Sequence, residues 1–265
     1  LILDDGTVLE DSPLVSWYLD NIDAVLLDIE GTTTSISFVY DELFPYARAK
    51  VSTFIPAHWG TAELSTALDE LRAQAVSDVE AGVEGAFNIP EEGASLDEIQ
   101  QAFVKNVLWQ MDSDVKTTGL KMLQGMIWVD GYKSGQLKGH LYSDVLPAME
   151  RLLSLGKTLN IYSSGSVAAQ KLLFGHSVEG DLTPKIRGYF DTTTGPKKEA
   201  ASYKAIASSL GLEPQRILFL TDNIDEGYAA RDAGVSVVMS VRPGNMALPE
   251  TDFPCITSFS QLFVD

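Results

Sequence analysis

The stretch AVLLDIEGTTTS, residues 24–35, decides the fold. Ala24 to Leu27 are four consecutive apolar residues bounded by polar ones, which suits a short strand covered on both faces, as in a parallel sheet. The run ends on two carboxylates, Asp28 and Glu30, followed by Gly31 and three threonines, and such an ending needs a chemical reason.

Three more segments read as strands of the same kind: KTLNIYS (157–163), RILFLT (216–221) and VSVVMSV (235–241). Helical patterns lie around them: SDVLPAMERLLSLG with Ser143 as N-cap and Pro147 in an early turn, SVAAQKLLFG, KEAASYKAIASSLG and DEGYAARDAG. Glycines close these helices where a left-handed terminus is expected. Strands alternating with helices predict an α/β fold with a doubly wound, Rossmann-type parallel sheet that binds its ligands beyond the carboxyl ends of the strands.

The middle of the chain differs. Residues 39–142 show helical periodicity without convincing strands: TAELSTALDELRAQAVSDVEAG, then SLDEIQQAFVKNVLWQMDSD opened by a Ser95 and Glu98 capping box, then TTGLKMLQGMIWVDGYKSG. The expected organisation is an extension over 1–22, an α/β core over 23–38 and 143–265, and an inserted helical cap over 39–142 that closes on the core as a lid. Trp109, Met111, Met122, Met126 and Trp128 are read as core filling of that cap.

Among 265 residues, 37 acids face 19 bases, a formal charge of −18, which argues against nucleic-acid or anionic-membrane binding. A single cysteine, Cys255, precludes an intrachain disulfide, and its apolar surroundings in DFPCITSF suggest a small buried hydrophobe. Residues 1–21 carry acids where a secretory leader carries bases, and no apolar run approaches the roughly 20 residues of a membrane span. The expectation is an intracellular chain, cytoplasmic or also nuclear, acting as a monomer on a small molecule.

Each core strand ends in a loop with an ion-handling residue: Asp28 and Glu30, then Ser163 and Ser164, then Asp222, with Lys197 ahead of the helix that precedes the last of these strands. Asp28 can attack phosphorus if a divalent cation offsets the charge repulsion, and magnesium, which prefers oxygen, would need Asp28, Asp222 and one further oxygen at Glu30. Glu30 lies on the same side of the strand end as Asp28, where it can protonate a leaving alkoxide and then activate water. Ser163, with the N–H groups of SSGS, and the charge of Lys197 suit a phosphate. Asp225 and Glu226 are further acids near the metal, Glu226 the better candidate for supporting it from outside. His58, His140 and His176 have no ligand spacing and are read as structural or surface residues.

Taken singly, each of these residues is as readily a cap or a solvated charge. Taken in order, the four loops resemble the haloacid dehalogenase-like superfamily. The wording of LLDIEGTTTSISFVYDELFPY, KTTGLKMLQG, IYSSGSVAAQKLLFGHS, GYFDTTTGPKKEAASY, ILFLTDN and VRPGN is similar to the enolase-phosphatases of methionine salvage, over about residues 23–263. The resemblance implies a magnesium enzyme that enolises and then dephosphorylates 2,3-diketo-5-methylthiopentyl 1-phosphate to an acireductone. It implies magnesium at Asp28, Glu30 and Asp222, and substrate phosphate at Ser163, Ser164 and Lys197. Most phosphatases of the wider superfamily have Asp where Glu30 stands. The base that enolises stays open: Glu30 is a candidate, and residues near Lys116, Trp128 or His140 are others. An ordinary sugar-phosphate or phosphoglycolate phosphatase would share the four loops. A dehalogenase would not need the metal set, and a receiver-like binding domain would be about half this length.

Overall fold

The structure is a computed structural model of the 265-residue chain and describes residues 19–91 and 93–263. The extension expected over 1–22 lies outside the described residues as far as residue 18.

Strand β1, Ala24–Leu27, is fully buried and hydrogen-bonded on both edges, which is why its sequence is apolar without alternation. Its parallel neighbours are β2 (Thr158–Tyr162), with Leu26 opposite Asn160, and β4 (Ile217–Thr221), with Leu26 opposite Phe219. Strands β3 (Gly188–Phe190), β5 (Ser236–Ser240) and β6 (Cys255–Ile256) complete a six-stranded parallel sheet of order 3-2-1-4-5-6. That order changes direction between β1 and β4, so a crevice opens beyond the carboxyl ends of these two strands. Asp28 and Asp222 each follow immediately on the last residue of one of them.

The chain divides into two compact units. One ends at Val39 and resumes at Lys138; the other is Tyr40–Leu137. The sequence suggests a boundary near 142, but residues 139–142 hydrogen-bond with the core: Gly139 N–H donates to His176 O at 2.8 Å and Tyr142 N–H to Thr33 O at 3.1 Å. One face of the sheet packs Tyr162, Tyr203, Ile206 and Phe219 into a buried cluster with the alanines of the helix Ile224–Asp232. The other unit has its own core, in which Val51, Leu64, Leu71, Phe103, Val107, Leu123 and Ile127 are buried. Its helices are α1 (Phe44–Ala57), α2 (Ala62–Glu80), α3 (Leu96–Asp112) and α4 (Thr118–Lys133). The Ser95 and Glu98 capping box forms in full at the start of α3. Met111, Met126 and Trp128 pack at the border of this core.

In the first unit the remaining helices are α5 (Val145–Ser154), α6 (Val167–Gly175), α7 (Ala200–Leu210) and α8 (Ile224–Asp232). Gly211 takes φ +69° beyond α7, the left-handed terminus its sequence suggests. The cap expected at Ser143 is instead Asp144, and even its side chain makes no cap bond. Its carboxylate accepts from Arg242, Ser258 and the Phe259 N–H, long-range partners that local sequence does not show. Strands β3 and β6 were not evident in the sequence, being three and two residues long, too short for a hydrophobic pattern. Cys255 begins β6, half-buried, and burial pushes its thiol pKa up, away from nucleophilic chemistry. Among the described residues no helix is long and apolar enough to cross a membrane.

Candidate active site

Beyond β1 the chain turns sharply. The N–H groups of Thr32, Thr33 and Thr34 all donate to Ile29 O, the Thr33 hydroxyl donates to Asp28 O at 3.0 Å, and Gly31 N–H donates to Thr34 O at 2.8 Å. All three threonines are buried, and they do different work: the Thr33 hydroxyl satisfies the turn's own carbonyls, whereas the Thr34 hydroxyl reaches out to His140 O at 2.8 Å. Gly31 has φ +68°, and a Cβ there would overlap the Asp222 carboxylate, 2.6 Å from its Cγ. Gly31 is therefore needed both for its dihedral and for the approach of Asp222. Glu30, half-buried, forms a backbone bridge with Thr34 in the same turn.

Asp28 is buried at 5 % exposure. Its Oδ1 accepts from Lys197 Nζ at 2.7 Å and from its own neighbour's amide, Ile29 N–H, at 2.7 Å. Lys197 also donates to Glu226 Oε2 at 2.7 Å, and the Thr221 hydroxyl donates to the same oxygen at 2.9 Å. Burial opposes the charge of Lys197, but Asp28 and then Glu226 outweigh it and hold the ammonium pKa above its usual value. The lysine sits on a loop anchored by three hydroxyls: Tyr203 donates to Lys197 O at 2.6 Å, Ser202 to Pro196 O at 2.7 Å and Tyr162 to Gly195 O at 2.9 Å.

The carboxylates outnumber this one ammonium. Burial first, then the charges of Asp28 and Glu226, push Asp222 up to about 7. Burial and then Asp28 push Glu226 up to about 7, with Lys197 opposing. Two buried acids and the half-buried Asp222 around one lysine favour a further cation. Asn245 supplies a second indication. Its amide donates to Gly31 O at 2.8 Å and Ser240 O at 3.3 Å, which leaves Oδ1 buried and without a hydrogen-bond partner beside Asp222. A water carried by a hydrated cation would satisfy it. Among the described residues no three His, Cys, Asp or Glu side chains converge closely enough to bind a metal by themselves. The oxygens of Asp28, Asp222 and Asn245 are hard donors of the kind a hydrated cation such as magnesium prefers.

Ser163 follows β2 directly, on the other side of Asp28 from Asp222. It is buried at 4 % exposure, its Oγ accepts from Gly165 N–H at 3.2 Å, and Ser164 beside it is exposed. Ser166 caps α6 through Ala169 N–H, while Asp191, at the end of β3, accepts from Val167 N–H at 3.0 Å. Gln170 donates to Gly165 O and Phe190 O, both at 2.8 Å, and so ties the serine loop to β3. A helix N-terminus with a serine loop beside it is suited to an anion.

The structure thus gathers Asp28, Lys197 and Glu226 in direct contact, with Asp222 in their field. From sequence alone Glu226 is expected to support the metal from outside, and Thr221, Asn245 and Tyr203, although they lie in the family-like motifs, carry no individual role. Thr221 is the last residue of β4 and Asn245 lies in VRPGN, so position after a strand end was the available signal.

These features define a class: the haloacid dehalogenase-like hydrolases, whose family model matches residues 22–234. Enolase-phosphatase E1 of Xenopus tropicalis is 48% identical over 247 residues, covering 91% of this chain and 94% of the frog protein. The protein of the same name from Synechococcus elongatus is 48% identical over 242 residues, covering 91% of this chain and 98% of its own. The chain belongs to the enolase-phosphatase E1 family of hydrolases. Among solved structures, the UTR4 protein of Saccharomyces cerevisiae superposes with a TM-score of 0.72 at 33% identity, over 90% of this chain and 99% of that one. The putative HAD-hydrolase YfnB of Bacillus subtilis, at 12% identity and a TM-score of 0.52 over 91% of this chain and 96% of its own, shares the fold.

Proposed function

We propose that the chain is a magnesium-dependent enolase-phosphatase that converts 2,3-diketo-5-methylthiopentyl 1-phosphate to an acireductone and phosphate, the reaction expected of the methionine-salvage family. The observation that carries this reading is the buried contact of Asp28 with Lys197 at the carboxyl end of β1, beside Asp222. The family membership supports the substrate.

Asp28, Asp222 and an oxygen at Glu30 would hold magnesium, which when bound supplies charge neutralisation for a phosphate and polarisation for a dicarbonyl. Asp28 is the nucleophile: its carboxylate attacks phosphorus and forms an aspartyl phosphate, which water then cleaves. Lys197, fixed by Glu226 and by the Tyr203 anchor, stabilises the charge on the phosphoryl oxygens. Ser163, Ser164 and the N–H groups ahead of α6 bind the phosphate and orient it. Glu30 takes the carbon-bound proton in enolisation and leaves that step protonated. That is the form needed to protonate the leaving oxygen when phosphorus is attacked, so one residue serves both steps in order. The chain acts on this ester as a monomer in the cytoplasm or nucleus.

The test is a stopped-flow ultraviolet trace with the diketo phosphate, with magnesium and then with excess chelator, beside a phosphate-release assay on the same samples. A magnesium-dependent enol signal that precedes or accompanies phosphate is the expected result. Phosphate from other esters with no reaction on the diketone would make the chain a phosphatase of different substrate.

A further inference from the structure

The loop that follows β5, VRPGN (241–245), grips the turn after β1 at two consecutive carbonyls. Arg242 donates from Nε to Thr32 O at 3.2 Å, and Asn245 donates from Nδ2 to Gly31 O at 2.8 Å. Arg242 is buried at 6 % exposure. Its Nη1 donates to Asp144 Oδ2 at 2.8 Å and to Thr257 O at 3.1 Å, and its guanidinium lies over the rings of Tyr142 and Phe259, 4.5 and 4.7 Å from their centroids. A planar fork with two anchored nitrogens and two aromatic contacts has one orientation, so the direction of its Nε–H is fixed.

Packing alone does not account for an arginine here. Among the described residues its Nη2 is buried with no hydrogen-bond partner, a penalty that an apolar side chain of similar size would avoid. What the arginine holds is the turn that joins the two acids. Gly31 lies against the Asp222 carboxylate, so that a Cβ there would fall 2.6 Å from Asp222 Cγ, and the same turn runs back through Ile29 O, the acceptor of Thr32 N–H, to Asp28. A turn in contact with one acid and continuous with the other sets the gap between them.

We propose that Arg242 is a positioning residue for the magnesium site: its Nε–H bond to Thr32 O fixes the turn that sets the separation of the Asp28 and Asp222 carboxylates. The proposal rests on the magnesium-dependent reading above. Magnesium demands near-octahedral geometry with short bonds to oxygen, so its affinity responds to small displacements of the donors. Arg242 acts on that geometry through the backbone of the turn, as a group that orients a metal ligand does.

Two substitutions separate the bond from the charge. Arg242→Gln places an amide N–H at the position of Nε, keeping the donor for Thr32 O while removing the charge that faces Asp144. Arg242→Lys places a methylene at the position of Nε and an ammonium one atom further out, keeping the charge while removing that donor. Magnesium is titrated into each metal-free protein by calorimetry, and the magnesium requirement for hydrolysis of p-nitrophenyl phosphate is read beside it. The magnesium Kd is expected to rise about tenfold in the Lys variant and to stay within about threefold of wild type in the Gln variant. The reverse order, an equal loss in both, or no change in either makes Arg242 a charge or stability element and overturns the proposal. If only one variant folds, its Kd decides by the same thresholds; if neither folds, the residue serves folding and the proposal falls. A wild-type chain that binds no magnesium sinks the magnesium reading itself, and this proposal with it.

Discussion

Lys197 is the residue on which the charge balance of the site turns. Replacing it with Met leaves Asp28 and Glu226 buried without their ammonium, and breaking such a contact costs about 3–5 kcal/mol. The loss is expected in full at pH 8 and is smaller at pH 5.5, where Asp222 and Glu226, both near 7, take up protons and relieve the repulsion. Urea unfolding at the two pH values, in chelator, checks it. Asp222 carries a linked prediction. Its folded pKa of about 7 lies above the unfolded value near 3.9, so the native state binds more protons between pH 4 and 7, and stability falls as pH rises across that window. Asp222→Asn is therefore more stable than wild type at pH 8 in chelator and equal to it below pH 4. Magnesium stabilises wild type at pH 8 and not the variant. Asp28→Asn abolishes phosphate release; appreciable turnover in a preparation free of other phosphatases would remove Asp28 as nucleophile. Asp28, Lys197 and Asp222 could be picked from sequence because each stands just past a strand or before a helix. The position of Asn245 beyond β5 is a sequence signal, but its role is not, because an orphaned oxygen exists only once Gly31 and Ser240 have claimed its amide.

At the scale of the element, the turn 28–35 is the part least tolerant of change. Gly31→Ala puts a Cβ into the Asp222 carboxylate at a φ of +68°. Magnesium affinity is expected to weaken at least tenfold, read by titrating activity against free magnesium. The strands and most helices were legible because each carries a local signal, a buried apolar run or a capped periodic face. The 3-residue β3 was not, although the Lys197 loop follows it. Its existence depends on pairing with β2, Asn160 opposite Gly188, rather than on anything in GYF itself. The start of α5 shows the same limit, since Asp144 serves Arg242, Ser258 and Phe259 rather than its own helix.

At the scale of the whole molecule, the two units carry separate cores. Leu71→Ala, at a fully buried position in the Tyr40–Leu137 unit, is expected to destabilise by about 2–5 kcal/mol, measured by urea unfolding. The formal charge of −18 repels a phosphate ester at long range, so kcat/KM rises as salt is raised toward physiological strength at fixed free magnesium. A fall would mean that the local positive field governs encounter. The amino-acid sequence by itself determined the alternation of strands and helices, the helical insertion and the order of the ion-handling loops, because these follow from periodicity and from chemistry placed at element ends. Only the tertiary structure decided that Lys197 bridges Asp28 and Glu226, that Arg242 reaches Thr32 O and Asp144, and that His140 meets Ser35 across more than a hundred residues of chain. The physical reason is that strand order brings together chain ends remote in sequence, and the field of one buried group on another exists only at the distances packing sets.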